Sequence, residues 1–396
     1  MFKPKISTDK AKINELLTRG VAEVIDKNHL EKELLSGKQM RIKLGIDPTS
    51  PNIHIGRAVV LLKLRDFQNL GHKIVFIIGD YTGTVGDTSD KDSERPMLSP
   101  EIVKKNMREY VRQAAKVIDI KGAEVVYNSK WLSKLKFSDI GFQADVFSLS
   151  DFIDRENIKK RLDGGKRVSL REVIYPLMQG YDSVAVRADV EIGGTDQKFN
   201  LLAGRSIQKA YKQAPQDILT TNLILGTDGR KMSSSWGNTI NIADSANDMF
   251  GKIMTIPDNI IVSYFIHTTR YPLDKVKEVE KNIASGGNPR DEKMKLGFEL
   301  VKMYYGEKSA EEAKKYFVST FQKKEIPDEI AEFDIAGKNI IDALVESKLS
   351  ESKSEARRLI SEKGVKVNNI VVDSLDQKIK SGDIIQKGKR FFAKSR

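Results

Sequence analysis

Cysteine is absent from all 396 residues. Disulfides and thiolate-ligated zinc are therefore excluded, and a reducing compartment is compatible with the composition. Histidine is scarce: the four residues His29, His54, His72 and His267 form no sequence cluster, so a His-based metal site is not expected. Long apolar runs are also missing. No stretch would span a bilayer, and Met1-Phe-Lys-Pro-Lys5 has no signal-peptide core, so the expected location is the cytoplasm. Neither Gly-x-x-x-x-Gly-Lys-Ser/Thr nor Gly-x-Gly-x-x-Gly occurs, which removes the P-loop and the dinucleotide fingerprint.

What is present is charge, with one sign in excess. Lys and Arg number 67 against 55 Asp and Glu, for a net charge of +12. That balance points to an anionic partner such as ATP or nucleic acid. The length calls for two or three domains. The last sixty residues carry 14 basic and 8 acidic side chains, so about a sixth of the chain holds half the net charge.

Hydrophobic spacing gives the organisation. Residues 8–37 read as one amphipathic helix, with Ile13, Leu16, Leu17, Val21 and Val24 on a face. Strands are expected at 41–46, 73–79, 123–127, 189–194 and near 217–226, alternating with helices at 56–70, 100–118, 173–183 and 195–212. A polar helical stretch at 128–165 interrupts them. Alternation of this kind predicts an α/β fold: a Rossmann-type parallel sheet with a helical insertion. Only helices are expected over 243–332. A small basic α/β region closes the chain, with helices at 340–347 and 353–361 and strands near 365–367 and 383–386. The implied domains are 1–242, 243–332 and 337–396.

Two motifs carry nucleotide chemistry. Asp47-Pro-Thr49 ends the second predicted element and leads into His54-Ile-Gly-Arg57 at a helix start. Gly45 and Gly56 let backbone approach a nucleotide, and the helix start offers N–H groups to phosphate. Thr49 and His54 can donate to phosphate oxygens. Far downstream, Gly226-Thr-Asp-Gly-Arg-Lys-Met-Ser-Ser-Ser235 is a glycine-flanked loop. It supplies the Lys231 cation with Met232, Ser233 and Ser234 behind it. The pair resembles the signature of class I aminoacyl-tRNA synthetases. In that reaction a carboxylate attacks the α-phosphate of ATP and pyrophosphate leaves, so cations and donors are needed at the developing negative charge.

A third group of residues is polar where core would be expected. Tyr175, Gln179 and Asp182 lie at i, i+4 and i+7 on one helix face and call for a polar ligand or for each other. With Gly79-Asp-Tyr-Thr-Gly-Thr-Val-Gly-Asp87 and Glu191-Ile-Gly-Gly-Thr-Asp-Gln197, the chain resembles bacterial tyrosyl-tRNA synthetases over essentially its full length. The resemblance implies ATP-dependent activation of L-tyrosine, then transfer to tRNA(Tyr), with magnesium arriving on ATP and no structural metal. It implies that Tyr175, Gln179 and Asp87 meet the tyrosine ammonium, that Asp182 accepts from the phenol, and that Gln197 meets the carboxylate, with Thr82 also in this pocket. Asp47, Gly194 and Asp196 join the ATP site, with Asp196 on the ribose. Lys91 and Arg95 reach pyrophosphate from a loop.

Three positions depart from the family pattern. Arg57 replaces the last His of the first motif, Ser234 replaces a second loop Lys for which Arg230 is the available substitute, and Lys43 stands where some members place a phenol-reading Tyr. The terminal region resembles an alpha-L RNA-binding domain, with Lys353, Arg357, Arg358 and Lys363 as a cationic face for tRNA. The family also implies anticodon recognition by the 243–332 helices and a homodimer involving 128–165. Competing readings are a tryptophanyl-type enzyme, against which Asp182 argues, and an RNA-binding protein with a decayed synthetase domain.

Overall fold

The computed structural model describes residues 6–87, 97–322, 330–388 and 391–396. They build two compact units, one through Ala310 and one from Glu311 to Arg396. The first holds a six-stranded sheet. Its strands are β1 (Val21–Ile25), β2 (Arg41–Ile46), β3 (Lys73–Ile78), β4 (Glu124–Tyr127), β5 (Val190–Gly194) and β6 (Asp217–Thr221), in the spatial order β1-β6-β5-β2-β3-β4. All neighbours are parallel except β1, which runs antiparallel to β6. Ile74 to Ile78 are buried, as a strand covered on both faces requires.

The chain moves outward from β2 through β3 to β4, then returns to β5 beside β2 and continues outward to β6. Strand order thus reverses between β2 and β5. In an open parallel sheet, the crevice beyond the strand ends at such a reversal is where ligands sit. Asp47 follows β2, Gly79 follows β3, Asn128 follows β4 and Asp196 follows β5, so four polar loops open onto one place.

The single helix expected over 8–37 is instead a helix (Lys10–Thr18), strand β1 and a second helix (Lys27–Leu35). Gly20 at φ +65° ends the first helix, and Asp26 in the left-handed region starts the second by accepting from the His29 amide. Between them Val21, Val24 and Ile25 pair with β6, since β-branched side chains suit a sheet better than a helix. The sheet is therefore mixed, with one antiparallel edge strand.

Helix Leu170–Val186 contains Pro176. Proline has no N–H, which leaves the Glu172 carbonyl without its helical donor. Arg155 donates to that carbonyl at 3.3 Å and to the Val173 carbonyl at 3.2 Å. The insertion between β4 and this helix consists of four short helices, Ser129–Leu132, Phe137–Ala144, Leu149–Ile153 and Glu156–Asp163. After β6, helices Ala246–Ile253, Ile261–Thr268, Leu273–Ala284 and Pro289–Tyr305 complete the first unit. Arg270 ties them to the sheet region through a 2.8 Å pair with Asp66.

The second unit has a sheet in the order β7-β11-β10-β8-β9: β7 (Glu332–Phe333), β8 (Val365–Val367), β9 (Ile370–Val371), β10 (Ile384–Lys387) and β11 (Phe391–Ser395). Glu332, expected at the end of a purely helical segment, is in β7 instead. Helices Ile340–Glu346 and Lys353–Ser361 pack on this sheet around Ile340, Leu344, Ala356, Ile360, Val365 and Ile385. Asn368 and Asn369 both have positive φ, the two-residue turn that matches the twist of hairpin β8–β9.

Candidate active site

One cavity of about 510 Å³ opens at the strand-order reversal. Its lining includes Gly45, Asp47, Thr49, His54, Gly56, Arg57, Thr82, Asp87, Tyr175, Gln179, Asp182, Gly194, Asp196, Gln197, Lys231, Met232, Ser233 and Ser234. Three sequence motifs separated by up to about 180 residues thus meet at a single space. Lys91 and Arg95 lie outside the described residues.

At one end stands Asp182, buried at 4% exposure. Trp131 donates its indole N–H to Oδ1 at 2.7 Å, and Asn128 donates to Oδ2 at 3.2 Å. Burial pushes its carboxyl up to about 7, against the opposing pull of Lys43 and of these two donors. Asn128 also donates to Thr82 Oγ1 at 2.9 Å, and Thr82 donates to Asp47 Oδ1 at 2.7 Å. Asp47 Oδ2 accepts from the Tyr175 hydroxyl at 2.8 Å. Burial, then Asp47, raises the Tyr175 phenol well above its usual range, so it stays a donor. Gly79 has to lack a side chain: a Cβ there would lie 2.0 Å from Asp47 Oδ1.

The side wall is an amide chain. Gln197 donates to Asp87 Oδ2 at 2.7 Å, and Asn200 donates to both Gln197 Oε1 and Gln179 Oε1 at 3.1 Å. Gln179 Nε2 in turn donates to Glu191 at 3.2 Å. Lys43 is fully buried and pairs with Glu191 at 2.8 Å. Its ammonium faces Glu191, the Gln179 carbonyl and Ser183, a position from which it does not substitute for a hydroxyl donor to a phenol.

The other end is built for a phosphorylated ligand. His54 caps helix Ile55–Asn69, its Nδ1 accepting from the Arg57 amide at 3.2 Å. That bond puts the proton of a neutral ring on Nε2, making Nε2 a donor. A Cβ at Gly45 would have nothing within 4 Å, so the missing side chain leaves open space in the cavity. Arg57 Nη1 donates to the Tyr110 hydroxyl at 2.6 Å. Across the cavity Lys231 lies 3.3 Å from Asp196.

Asn238 shapes the Lys231 loop. Its side chain accepts from the Ser233 amide at 2.8 Å and donates to the Lys231 carbonyl at 3.0 Å and to Asp228 at 2.7 Å. With Asn238 as the leading cause, Asp228 is held at about 2. Arg230 pairs with Asp228 at 2.6 Å and lies 4.9 Å from the Trp236 ring centre. It is not among the cavity-lining residues, so it is poorly placed to substitute for the second lysine.

In the second unit, Lys353, Arg357, Arg358 and Lys363 are all exposed on and just after helix Lys353–Ser361. Lys353 also pairs with Asp342 at 2.7 Å.

Sequence reasoning missed Asn128, Trp131, Asn200, Asn238 and Tyr110. Asn128 immediately follows β4, and its place at a strand end was a usable signal. Trp131 is one of two tryptophans. Asn238 sits at the end of the Lys231 loop, within ten residues of its partners, whereas Asn200 and Tyr110 gain their places through Gln179 and Arg57, 21 and 53 positions away.

The fold and the cavity define a class I aminoacyl-tRNA synthetase. The sequence model described as "tRNA synthetases class I (W and Y)" matches residues 35–322, and an S4 domain model matches 340–385. Among curated relatives, the tyrosine–tRNA ligase of Thermotoga maritima is 42% identical over 96% of both chains. That of Haemophilus influenzae is 42% identical over 96% of both, and tyrosine–tRNA ligase 2 of Clostridium acetobutylicum is 43% identical over 96% of this chain and 97% of that one. The fold matches the tyrosyl-tRNA synthetase of Archaeoglobus fulgidus solved with L-tyrosine, at a TM-score of 0.62 and 22% identity, over 77% of this chain and 100% of that one. The chain belongs to the tyrosine–tRNA ligase family.

Proposed function

We propose that this chain joins L-tyrosine to tRNA(Tyr) in two steps within the cavity described above. In the first, the tyrosine carboxylate attacks the α-phosphate of ATP; the bond to pyrophosphate breaks and tyrosyl-adenylate forms. In the second, the terminal adenosine of tRNA takes the tyrosyl group and AMP leaves. The observation that carries this reading is the continuity of one cavity from Asp182 at one end to His54 and Lys231 at the other.

Each end has a chemical task. Asp182, held by Trp131 and Asn128, accepts from the phenol. A ligand lacking that hydroxyl would leave a buried carboxylate short of one donor, a rule for which tyrosine activation is itself the standard illustration. Asp87, Tyr175 and Gln179 receive the ammonium, and Gln197 the carboxylate. Gly45, Asp47, Gly56, Gly194 and Asp196 hold the nucleoside end, with Asp196 on the ribose. Thr49, His54, Arg57, Lys231, Met232, Ser233 and Ser234 face the phosphates, where positioning and charge stabilisation supply the catalysis. Lys91 and Arg95 keep the pyrophosphate role that the family resemblance implies. Magnesium enters on ATP as part of the substrate.

The exposed cations of helix Lys353–Ser361, with Lys363, suit tRNA phosphates. The segment 243–332, with its helices between Ala246 and Tyr305, is assigned to the anticodon end, following a catalytic domain of 1–242 and preceding an RNA-binding domain of 337–396. Exposed Phe137, Phe142, Leu149, Ile153 and Leu162 crowd the insertion, which supports a homodimer formed there. Among the described residues, no helix is long and apolar enough to cross a membrane. A cytoplasmic site of action fits this chemistry.

ATP–pyrophosphate exchange with each of the twenty amino acids tests the reading. Tyrosine alone should support exchange. Exchange with tryptophan would move the assignment to the sister enzyme, and no exchange at all would leave an RNA-binding protein with an inactive fold.

A further inference from the structure

Lys43 and Glu191 face each other from β2 and β5, the two strands between which the strand order reverses. Both are essentially dry, at 0% and 1% exposure. The Lys43 ammonium lies 2.8 Å from Glu191 Oε1 and donates to Ser183 Oγ at 2.7 Å and to the Gln179 backbone carbonyl at 2.8 Å. Glu191 Oε1 also accepts from Gln179 Nε2 at 3.2 Å, and Oε2 accepts from Ser183 at 3.1 Å and from Gln216. A buried ion pair is a poor source of stability by itself, because desolvation offsets the attraction. A fully satisfied one fixes the orientation of whatever else binds to it.

What binds to it is the side-chain amide of Gln179. A primary amide can be turned end for end, exchanging its acceptor and donor. A carboxylate accepts only, so Glu191 draws Nε2 to itself and turns Oε1 the other way, where it accepts from Asn200. Gln179 also lines the cavity.

We propose that the Lys43–Glu191 pair is a positioning device for amino-group recognition: it orients the Gln179 amide so that an acceptor oxygen is offered to the tyrosine ammonium. In this account Lys43 does not read the phenol. It holds Glu191 in place, and Glu191 sets Gln179. The inference rests on the reading of Gln179 as an ammonium partner.

The test compares binding of tyrosine with binding of 3-(4-hydroxyphenyl)propanoate, which lacks the amino group. Glu191→Gln is isosteric and can present an N–H₂ to Gln179 where the carboxylate only accepted. That variant, and Lys43→Met where it folds, should lose about tenfold or more of the preference for tyrosine over the analogue. The KM for ATP should stay within about twofold. A purely structural pair would lower Tm and weaken both ligands together, leaving the preference intact. Gln179→Ala is the control. If it loses the preference while Glu191→Gln keeps it, the device is refuted and the reading of Gln179 stands. If Gln179→Ala keeps the preference, the reading falls and the device with it.

Discussion

Trp131 and Asp182 meet at 2.7 Å, the indole N–H donating to Oδ1 of a buried carboxylate. Trp131 comes from the first short helix of the insertion and Asp182 from the long helix Leu170–Val186. The insertion therefore acts on the cavity from outside its lining, through the bond by which Trp131 holds the lining residue Asp182. A carboxylate that accepts one charge-assisted bond from Trp131 and another from Asn128 is fixed in direction, with further lone-pair capacity for one more donor.

Removing that direction should cost selectivity before it costs activity. Trp131→Phe keeps an aromatic body and deletes the donor. Bonds to charged groups are worth about 1.5–3 kcal/mol, so the ratio of kcat/KM for tyrosine over phenylalanine should fall by roughly tenfold or more. The measurement is exchange kinetics with both amino acids at saturating ATP. A ratio within twofold of the parent would mean that Trp131 fills space and nothing more.

The pH dependence has a definite sense. Burial holds the Asp182 carboxyl at about 7, above the ordinary 3.8. The folded chain then keeps a proton that the unfolded chain has released, so this group favours folding most below 3.8. The advantage is lost as pH rises through about 7. Ligand reading has the opposite need, because the ionised carboxylate is the better acceptor of a phenol hydrogen. The groups that face Asp182 are Trp131, Asn128, Lys43 and Glu191, and the last of these raises its pKa further. In the free enzyme, kcat/KM for tyrosine should drop about tenfold per pH unit below about 7 and level off above it. Asp182→Asn should abolish that acidic limb. Persistence of the limb in the variant would assign it to another group.

Much of this site could be read from the sequence, and for a physical reason. Local motifs such as Asp47-Pro-Thr49, His54-Ile-Gly-Arg57 and Lys231-Met-Ser-Ser-Ser235 carry their chemistry in consecutive residues, and strand–helix alternation places them at strand ends. The i, i+4, i+7 spacing of Tyr175, Gln179 and Asp182 survives folding unchanged because a helix preserves it. What could not be read depends on partners far away in the chain. Lys43 appeared as a departure from a family pattern, and only its contact with Glu191, 148 positions later, gives it a place. Strand β1 was hidden because its apolar spacing over 8–37 also fits a helix. Gly20 and Asp26, both at positive φ, decide between the two.

Arg57 is the remaining departure, and the structure gives it a support. Tyr110 accepts from its guanidinium at 2.6 Å, and the Tyr110 hydroxyl lies 3.2 Å from Ser50 Oγ. Arg230, by contrast, is engaged with Asp228 outside the cavity lining. Among the described residues that line the cavity, the permanent cations are therefore Arg57 and Lys231. If Arg57 compensates for the lysine replaced by Ser234, the positive charge has moved from the loop to the start of helix Ile55–Asn69. Arg57→His should then slow tyrosyl-adenylate formation by about tenfold to a hundredfold, the value of one charge-assisted contact to the leaving phosphates, with little change in KM for tyrosine. Tyr110→Phe, which loosens the guanidinium but leaves its charge, should slow the step only a few-fold. Single-turnover measurement of adenylate formation separates the two variants. A rate for Arg57→His equal to or above the parent would show that the charge at this position does not act on the phosphates.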